Sequence, residues 1–378
     1  MDRKHTLLHT PEGVRDLYGK EYARTLRVCE QLMRSIGLYG YEPIQTPTYE
    51  FFDVFSKEVG TTPSRELFKF FDRENNTLVL RPDITPSIAR CAAKYFMEDA
   101  GSLRFCYQGS VFCNISSLQG KLSEAMQVGA ELIGENSVYA DAEILAMTID
   151  ALQSAGLQDF QLSIGNVEYF NGICEEAGLT GEDREILRQY IADKNPIAAG
   201  EFLAELPIPA KNREQLLALS NSFFERELTD HLTGLCQRAK DAINHLRTIR
   251  EVLSQYGMDR YVSFDLGLMS KHTYYTGIVF RAYTLGVGSP IAKGGRYDSL
   301  LGHFGKEAPS TGFVILVDEL MEALDRQKCE IEVPEAPVVI EYHDSRKEYS
   351  AALSEALKLR KSGRPVILSP VRTEGVIS

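Results

Sequence analysis

The stretch LRFCYQGSVFCNISSLQGKLSEAMQVGAELIG, residues 103–134, has the pattern of a β-hairpin. Its two predicted strands are Arg104–Tyr107 and Met126–Ile133, and apolar residues alternate along the second one. Gln127 and Glu131 are four residues apart on that strand, so both side chains point to the same face of a sheet. Because the alternating apolar residues require at least one buried face, a polar pair in a covered site is plausible, beside the alternative of two polar residues on a solvent face.

Further hairpins, interrupted by helices, lie on both sides of this stretch. Such an order is typical of an α+β domain with an antiparallel sheet rather than of a regular βαβ alternation. The segment of about 169–256 is helical in pattern and rich in charge, which predicts a helical insertion in a domain of residues 1–331. The predicted strands include Tyr41–Tyr49, Leu67–Asp72, Leu78–Arg81, Phe160–Ile164, Phe264–Leu268, Tyr275–Tyr283, Pro290–Ala292 and Gly312–Val317, and the predicted helices include Tyr22–Ile36, Pro86–Phe96, Ala140–Ala155 and Asp318–Arg326.

The C-terminal segment, residues 332–378, begins with a linker and continues as a single βαβ unit. Its strands are predicted at Pro337–Tyr342 and Pro365–Leu368, with a helix at Arg346–Ser362 between them. A unit this short cannot bury an adequate core by itself, so we expect it to pack on a neighbour or a partner.

Composition narrows the class of protein. The 378 residues are 44% hydrophobic, carry a formal charge of −12 and contain no apolar run of membrane-spanning length. We therefore expect a cytoplasmic protein that does not bind a membrane, and the absence of a cluster of Lys and Arg argues against nucleic acid as a partner. The seven cysteines form no C-x-x-C motif, and nothing else in the sequence indicates a metal site or a cofactor.

Four motifs, in this order, resemble the catalytic core of class II aminoacyl-tRNA synthetases of the histidyl type. They are Leu80–Thr85 (LRPDIT), the hairpin Phe105–Gly134, Tyr274–Gly277 (YYTG) and Gly294–Asp298 (GGRYD), and the similarity spans about residues 10–325. The resemblance implies a class II synthetase-like antiparallel sheet flanked by helices, with a dimer interface near Pro47.

The resemblance also implies a histidine-binding site. Asp83, Thr85 and Gln127 would contact the α-amino group, and Glu131 and Tyr275 the imidazole. The full predicted site is Asp83, Thr85, Gln127, Glu131, Tyr274, Tyr275 and Tyr297. From the residues alone, Asp83 could instead cap the following helix, one of the two adjacent tyrosines could be an ordinary strand residue, and Gly294–Arg296 could be a simple turn.

Departures from the synthetase pattern predict the loss of adenylation. Cys113 and Ile115 stand where these enzymes carry an arginine that binds the ATP α-phosphate and its paired glutamate. Ser270 and Glu319 replace two further arginines, and Leu316 replaces a glycine. Because positioned cations stabilise such transition states by several kcal/mol, we expect no catalytic residues in this chain.

A synthetase-like core with these losses resembles the family of ATP phosphoribosyltransferase regulatory subunits. That resemblance implies a non-catalytic protein of histidine biosynthesis, which activates the short-form catalytic subunit and conveys feedback inhibition by L-histidine. It further implies a homodimer within a hetero-octamer.

Two alternatives remain open from the sequence. One is an active histidyl-tRNA synthetase in which Arg104 or Lys121 replaces the lost arginines. The other is a synthetase-like ligase or binding module for a different amino acid, which the shorter Asp83 in place of glutamate would favour.

Overall fold

The computed structural model describes residues 8–55, 62–96, 98, 101–115, 122–220, 234–270, 274–343 and 345–371. The chain divides into two compact units, Met1–Leu17 with Val28–Glu330 and Tyr18–Arg27 with Ile331–Ser378. No helix in these ranges is both long enough and apolar enough to cross a membrane. The first unit contains every residue of the predicted site.

The strands and helices are named here in chain order. The strands are β1 (Glu42–Pro43), β2 (Tyr49–Phe51), β3 (Lys69–Phe71), β4 (Thr77–Leu80), β5 (Leu103–Phe112), β6 (Glu124–Ile133), β7 (Gln161–Asn166), β8 (Val262–Phe264), β9 (Ile278–Tyr283), β10 (Ala292–Arg296), β11 (Ser310–Leu316), β12 (Val338–Tyr342) and β13 (Val366–Pro370). The helices are α1 (Gly19–Gly37), α2 (Thr85–Tyr95), α3 (Val138–Ser154), α4 (Val167–Glu176), α5 (Gly181–Ala192), α6 (Pro196–Glu205), α7 (Ala210–Ser220), α8 (Gln237–Gln255), α9 (Val317–Arg326) and α10 (Arg346–Lys361).

An eight-stranded sheet lies at the centre of the first unit. Its strand order is β1-β5-β6-β11-β10-β9-β7-β8. Every neighbouring pair is antiparallel except β1–β5 and β7–β8, the pairs at the two edges. The predicted antiparallel sheet flanked by helices is therefore confirmed, and the predicted hairpin forms its β5–β6 pair.

The two faces of this sheet differ in what covers them. Val128, Ala130 and Leu132 of β6 are fully buried on one face. Helix α3 packs on that face, since its Glu143 pairs with Arg104, the β5 residue opposite Leu132. The other face carries the alternate residues of β6, and we call it the site face. The period of two in the sequence therefore separates an apolar packing face from the face that holds the predicted site.

A small sheet of order β2-β4-β3 follows α1 and β1. The predicted strand Tyr41–Tyr49 is wrong for most of its length, because β1 ends at Pro43 and the next strand begins at Tyr49. Proline lacks the N–H that a strand interior donates, and Pro43 and Pro47 interrupt the pairing. One face of the small sheet exposes aromatic rings, those of Tyr49 (54%), Phe51 (56%) and Phe70 (37%).

The predicted insertion is confirmed as helical in its described part. Helices α4 to α8 occupy residues 167–255 apart from short connections and the stretch 221–233, which lies outside the described residues. Leu187, Ile191, Leu203, Leu216 and Ile243 are nearly or fully buried in a core of their own. The insertion thus has an apolar core between its helices rather than a single amphipathic face on the sheet.

The C-terminal segment forms the predicted βαβ unit. Strands β12 and β13 are parallel, with Val338 opposite Val366, and α10 connects them. Ser345 caps α10 by accepting a hydrogen bond from the Glu348 N–H at 3.2 Å.

Two local predictions near the site are corrected. Strand β8 ends at Phe264 rather than Leu268, because Asp265 begins a turn in which its side chain accepts the Gly267 N–H at 2.9 Å. The interpretation of Gly294–Arg296 as a turn is also wrong, since these residues are strand β10. Glycine serves a packing role there, because a Cβ on Gly294 would lie 2.5 Å from the Phe280 ring.

Candidate functional site

Glu131 is the buried centre of the predicted site. Its residue is 1% exposed, and it lies on β6 opposite Gly312 of β11. Thr85 Oγ1 donates a hydrogen bond to Oε1 at 2.6 Å, and the Tyr297 hydroxyl donates to Oε2. Neutral hydroxyls therefore hold both oxygens, and no Lys, Arg or His of the described ranges forms an ion pair with this carboxylate.

Burial changes the ionisation of this carboxylate. Removal from water raises the pKa of Glu131 from 4.5 to about 8, although the hydrogen bonds from Thr85 and Tyr297 act in the opposite direction. The charge of nearby Asp83 adds to the increase in this pKa. The site therefore has a carboxyl that gains from a cationic or hydrogen-bond-donating ligand.

Glycines on the site face make room for the functional side chains. A Cβ on Gly312 would lie 1.9 Å from Glu131 Oε2, and one on Gly295 would lie 2.7 Å from the Tyr275 ring. Gly129, between Gln127 and Glu131, likewise leaves space for the Tyr107 hydroxyl, 2.6 Å from its would-be Cβ. The glycines of β6, β10 and β11 thus form a floor that any larger residue would fill.

Three tyrosines from two motifs meet at this site. The rings of Tyr274 and Tyr275 have centroids 4.7 Å apart, and those of Tyr274 and Tyr297 are 6.0 Å apart in an edge-to-face arrangement. Tyr274 and Tyr297 are buried, whereas Tyr275 is partly exposed. Burial is the main cause that raises the pKa of all three phenols, so they remain neutral hydrogen-bonding groups. Both adjacent tyrosines therefore lie at the site, in different environments.

Asp83 and Thr85 lie at the start of α2. The Asp83 carboxylate accepts the Thr85 N–H at 3.3 Å, and the residue at the N-cap position, Ile84, makes no side-chain cap. Asp83 therefore bonds a backbone N–H in the first turn of α2, as the capping interpretation expected, although it is not the N-cap residue itself. The second carboxylate oxygen of Asp83 can accept from a ligand. Thr85 links this helix to β6 through its bond to Glu131.

Gln127 is 5% exposed, and its Oε1 has no hydrogen-bond partner within the described residues. It lies on β6 directly opposite Leu316, so the leucine that replaces a glycine of the synthetase pattern flanks it on the site face. The hydroxyl of Tyr107, a buried residue that sequence reasoning missed, lies beside Glu131 and acts with Thr85 and Tyr297 against the rise in the pKa of that carboxyl. A buried polar atom without a partner is costly, so Gln127 Oε1 points to a missing polar ligand.

The four positions at which the resemblance predicts lost ATP-binding residues are all described. Cys113 and Ile115 lie beyond the end of β5, where the Cys113 thiol donates to the Pro82 carbonyl at 3.8 Å. Ser270 is buried, and Glu319 lies in the first turn of α9. Arg188 of α5 donates to the Ser270 carbonyl and pairs with Glu185 at 2.8 Å.

The proposed replacement by Arg104 is not supported. Arg104 is opposite Leu132 in the β5–β6 pair, so its side chain is on the face away from Glu131. There it pairs with Glu143 and lies over the Tyr41 ring, 5.3 Å from the ring centroid. Lys121, the other candidate for that role, lies outside the described residues.

Comparison with known proteins gives two kinds of relative. A sequence model of the family described as histidyl-tRNA synthetase matches residues 13–320. Over 361 residues, the chain is 39% identical to an ATP phosphoribosyltransferase regulatory subunit of Acetivibrio thermocellus, covering 95% of this chain and 86% of the relative. A protein of the same name from Ruminiclostridium cellulolyticum is 36% identical, with 93% and 84% of the two chains covered.

Solved structures agree with the fold described above. A crystal structure of an ATP phosphoribosyltransferase regulatory subunit/histidyl-tRNA synthetase from Bacillus halodurans matches with a TM-score of 0.87 and 33% identity, covering 98% of this chain and 94% of that one. Histidyl-tRNA synthetase from Nostoc sp. matches with a TM-score of 0.78 at 19% identity, covering 98% and 86%, and that likeness concerns the fold alone.

Proposed function

Because the chain belongs to the family of ATP phosphoribosyltransferase regulatory subunits, we propose that it activates a separate short-form catalytic subunit and makes that subunit sensitive to L-histidine. The family places the chain in histidine biosynthesis. The proposal adds the effector, the residues that bind it and the absence of a reaction in this chain.

The observation that carries this proposal is the environment of Glu131. Its carboxyl is buried, has no cationic partner in the described part of the chain and accepts hydrogen bonds from two neutral hydroxyls. A protonatable imidazole supplies N–H donors and, when protonated, a positive charge. A ring of this kind would satisfy the carboxyl without introducing a bulky group above the glycine floor.

The rest of a histidine molecule has counterparts on the site face. Asp83, Thr85 and Gln127 provide acceptor oxygens for an ammonium group, and Gln127 Oε1 is unpartnered within the described residues. Tyr275 is the partly exposed phenol of the three, so its hydroxyl is the one we assign to the imidazole. This assignment gives the ammonium and the imidazole of the effector polar partners.

The positions that the resemblance assigns to the synthetase cations carry no arginine or lysine. At the positions of the synthetase cations stand a thiol that faces a backbone carbonyl, a buried serine and a carboxylate, at Cys113, Ser270 and Glu319. A carboxylate at the third position repels phosphate rather than attracting it. We therefore assign the chain no catalytic step, and a histidine-dependent exchange of pyrophosphate into ATP would contradict this assignment.

A homodimer within a hetero-octamer is the proposed assembly. The exposed face of the small sheet supports the dimer, since Tyr49, Phe51 and Phe70 present adjacent aromatic rings that a monomer would leave in water. Tyr49 and Phe51 lie just after Pro47, the region to which the resemblance assigns the dimer contact, and the Phe70 ring lies beside that of Tyr49. Substitution of Phe51 by Ser should shift the sedimentation coefficient toward that of a monomer.

The test of the proposal is formation of phosphoribosyl-ATP by the short-form catalytic subunit, with and without this chain, across a histidine titration. We expect activation that histidine reverses. In the Glu131→Gln variant the histidine concentration for half inhibition should rise at least about tenfold, because a hydrogen bond to a charged group contributes about 1.5–3 kcal/mol.

Glu124→Gln is the matched control for this test. It makes the same chemical change on the same strand, but Glu124 is exposed. Equal inhibition curves for Glu124→Gln and the unmodified chain, with a shifted curve for Glu131→Gln, support the assigned site. Curves that coincide for all three proteins would remove Glu131 from it.

A further inference from the structure

A cavity of about 330 Å³ lies on the site face, toward the other end of the large sheet from Glu131. Ser163 of β7 and Arg281 of β9 form its floor, and the turn after β8 and the end of α5 form its walls. This volume is near the lower end of the range of about 300–1,000 Å³ for small-molecule sites. The cavity is therefore suited to a small metabolite.

Ser163 is an orphaned polar group in the cavity floor. The residue is 1% exposed, and its Oγ has no hydrogen-bond partner within the described ranges. A buried hydroxyl that lines an open volume without a partner is costly unless a ligand uses it.

Arg281 adds a guanidinium to the same floor. It is directly opposite Ser163 in the β7–β9 pair, and its Nη2 donates to the Met269 carbonyl at 2.8 Å. No acidic side chain of the described residues forms an ion pair with it. Its remaining N–H groups suit a carboxylate, which a guanidinium binds with two parallel hydrogen bonds.

Lys194 adopts a backbone conformation that is unusual for its residue type. Its φ of 49° places it in the left-handed region, at the end of α5 where glycine is normally found. The lysine side chain extends to the wall of the cavity, where Nζ donates to Asp265 Oδ2 at 2.9 Å.

From these contacts we propose that the cavity binds a free α-amino acid, as a site separate from that of Glu131. The carboxylate of the ligand binds Arg281 and Ser163. Its ammonium lies toward the carboxylates of Asp193 and Asp265, which also line the cavity. The lining thus combines a cationic floor with carboxylates, which fits a zwitterion better than a simple anion.

The Ser163 end of the cavity is distant from Glu131. Glu131 lies on β6, separated from Ser163 on β7 by β11, β10 and β9 in the sheet order, whereas the charge of Arg281 reaches Tyr275 of the proposed histidine site. Ser163→Ala should therefore leave ligand binding at Glu131 intact.

The test is calorimetric titration of the full chain carrying Glu131→Gln with each of the common amino acids, and with acetate and methylamine as half-ligand probes. We expect at least one amino acid to bind and neither probe to give measurable heat. Adding Ser163→Ala or Arg281→Gln should weaken that binding at least about tenfold, and Arg281→Lys should weaken it less.

Ser263→Ala is the matched control. The Ser263 hydroxyl is also buried and unpartnered within the described residues, and it lies opposite Ser163 in the β7–β8 pair, but it does not line the cavity. We expect unchanged affinity in this variant. Absence of binding by every amino acid, or equal losses from Ser163→Ala and Ser263→Ala, would overturn the proposal.

Discussion

Two buried carboxylates on opposite faces of the same sheet have opposite environments. Asp141, on the covered face, lies 2.9 Å from Arg296 Nη2 and 2.8 Å from His245 Nε2. Glu131, on the site face, accepts from the hydroxyls of Thr85 and Tyr297, with the Tyr107 hydroxyl also beside it. Asp141 has a cation, Arg296, built into the fold, whereas Glu131 is left without one among the described residues. The difference separates a group that stabilises the fold from one that is available to a ligand.

The largest expected loss of stability comes from substitution of Asp141, the carboxylate that is paired with Arg296. Asp141→Asn leaves Arg296, which is 5% exposed, with Asp298 as its remaining acidic partner at 3.1 Å. Because breaking a buried ion pair leaves an uncompensated charge, we expect the free energy of unfolding to fall by about 3–5 kcal/mol. Urea unfolding measures it, and a loss within error of zero would show that Asp141 does not hold α3 to the sheet.

Glu131→Gln should have the opposite effect on stability, in the protein without ligand, from that of Asp141→Asn. The folded-state pKa of Glu131, about 8, is above its ordinary value of 4.5, so folding takes up a proton between these values. The stability of the unmodified protein therefore falls as the pH rises through 8, and the variant lacks this fall.

Above pH 8 we therefore expect Glu131→Gln to be more stable by about 2–4 kcal/mol, and near pH 4 to be about equal. Urea unfolding across this pH range is the measurement. A variant that is less stable at every pH would mean that Glu131 is a structural group like Asp141.

Gly312→Ala tests whether the glycine floor of the site face is needed for the position of Glu131. The new Cβ would lie 1.9 Å from Glu131 Oε2 and 2.6 Å from the Ala130 carbonyl, so the carboxylate or the strand has to move. We expect a loss of about 1–3 kcal/mol in stability, together with weaker histidine binding. Gly288→Ala is the control, since nothing lies within 4 Å of its would-be Cβ. Equal stability and equal histidine binding in the two variants would show that Gly312 is not needed to make room for Glu131.

Tyr297→Phe has the smallest expected effect. It removes the hydroxyl that donates to Glu131 Oε2 and so removes one interaction with the charged carboxylate. The pKa of Glu131 should rise further above 8, and stability near neutral pH should change by no more than about 1 kcal/mol. Titration of the labelled Glu131 carboxyl by NMR gives the pKa directly, and a decrease would contradict the assigned bond.

The sequence predicted those parts of the site that depend on local periodicity. The spacing of Gln127 and Glu131 placed both on one face of a strand, because the side-chain period of a strand is fixed. The family resemblance supplied the candidate partners on other elements, and the structure brings Thr85 and the tyrosines to Glu131.

Other features could not be read from local patterns. Asp141 and Arg296 are 155 positions apart, and their pairing depends on the packing of α3 on the sheet. The role of Gly312 as open floor depends on its register with Glu131, which no short motif specifies. The alternation of Tyr41–Tyr49 predicted one strand, but Pro43 and Pro47 lack the N–H that strand pairing needs, and β1 ends at Pro43.

The central claim, that Glu131 is held for a histidine ligand, is tested most directly by calorimetric titration of L-histidine into the unmodified chain, Glu131→Gln and Glu124→Gln. The account predicts measurable binding to the unmodified chain and Glu124→Gln, and at least about tenfold weaker binding to Glu131→Gln. Equal affinity in all three proteins, or no binding to the unmodified chain, would contradict it.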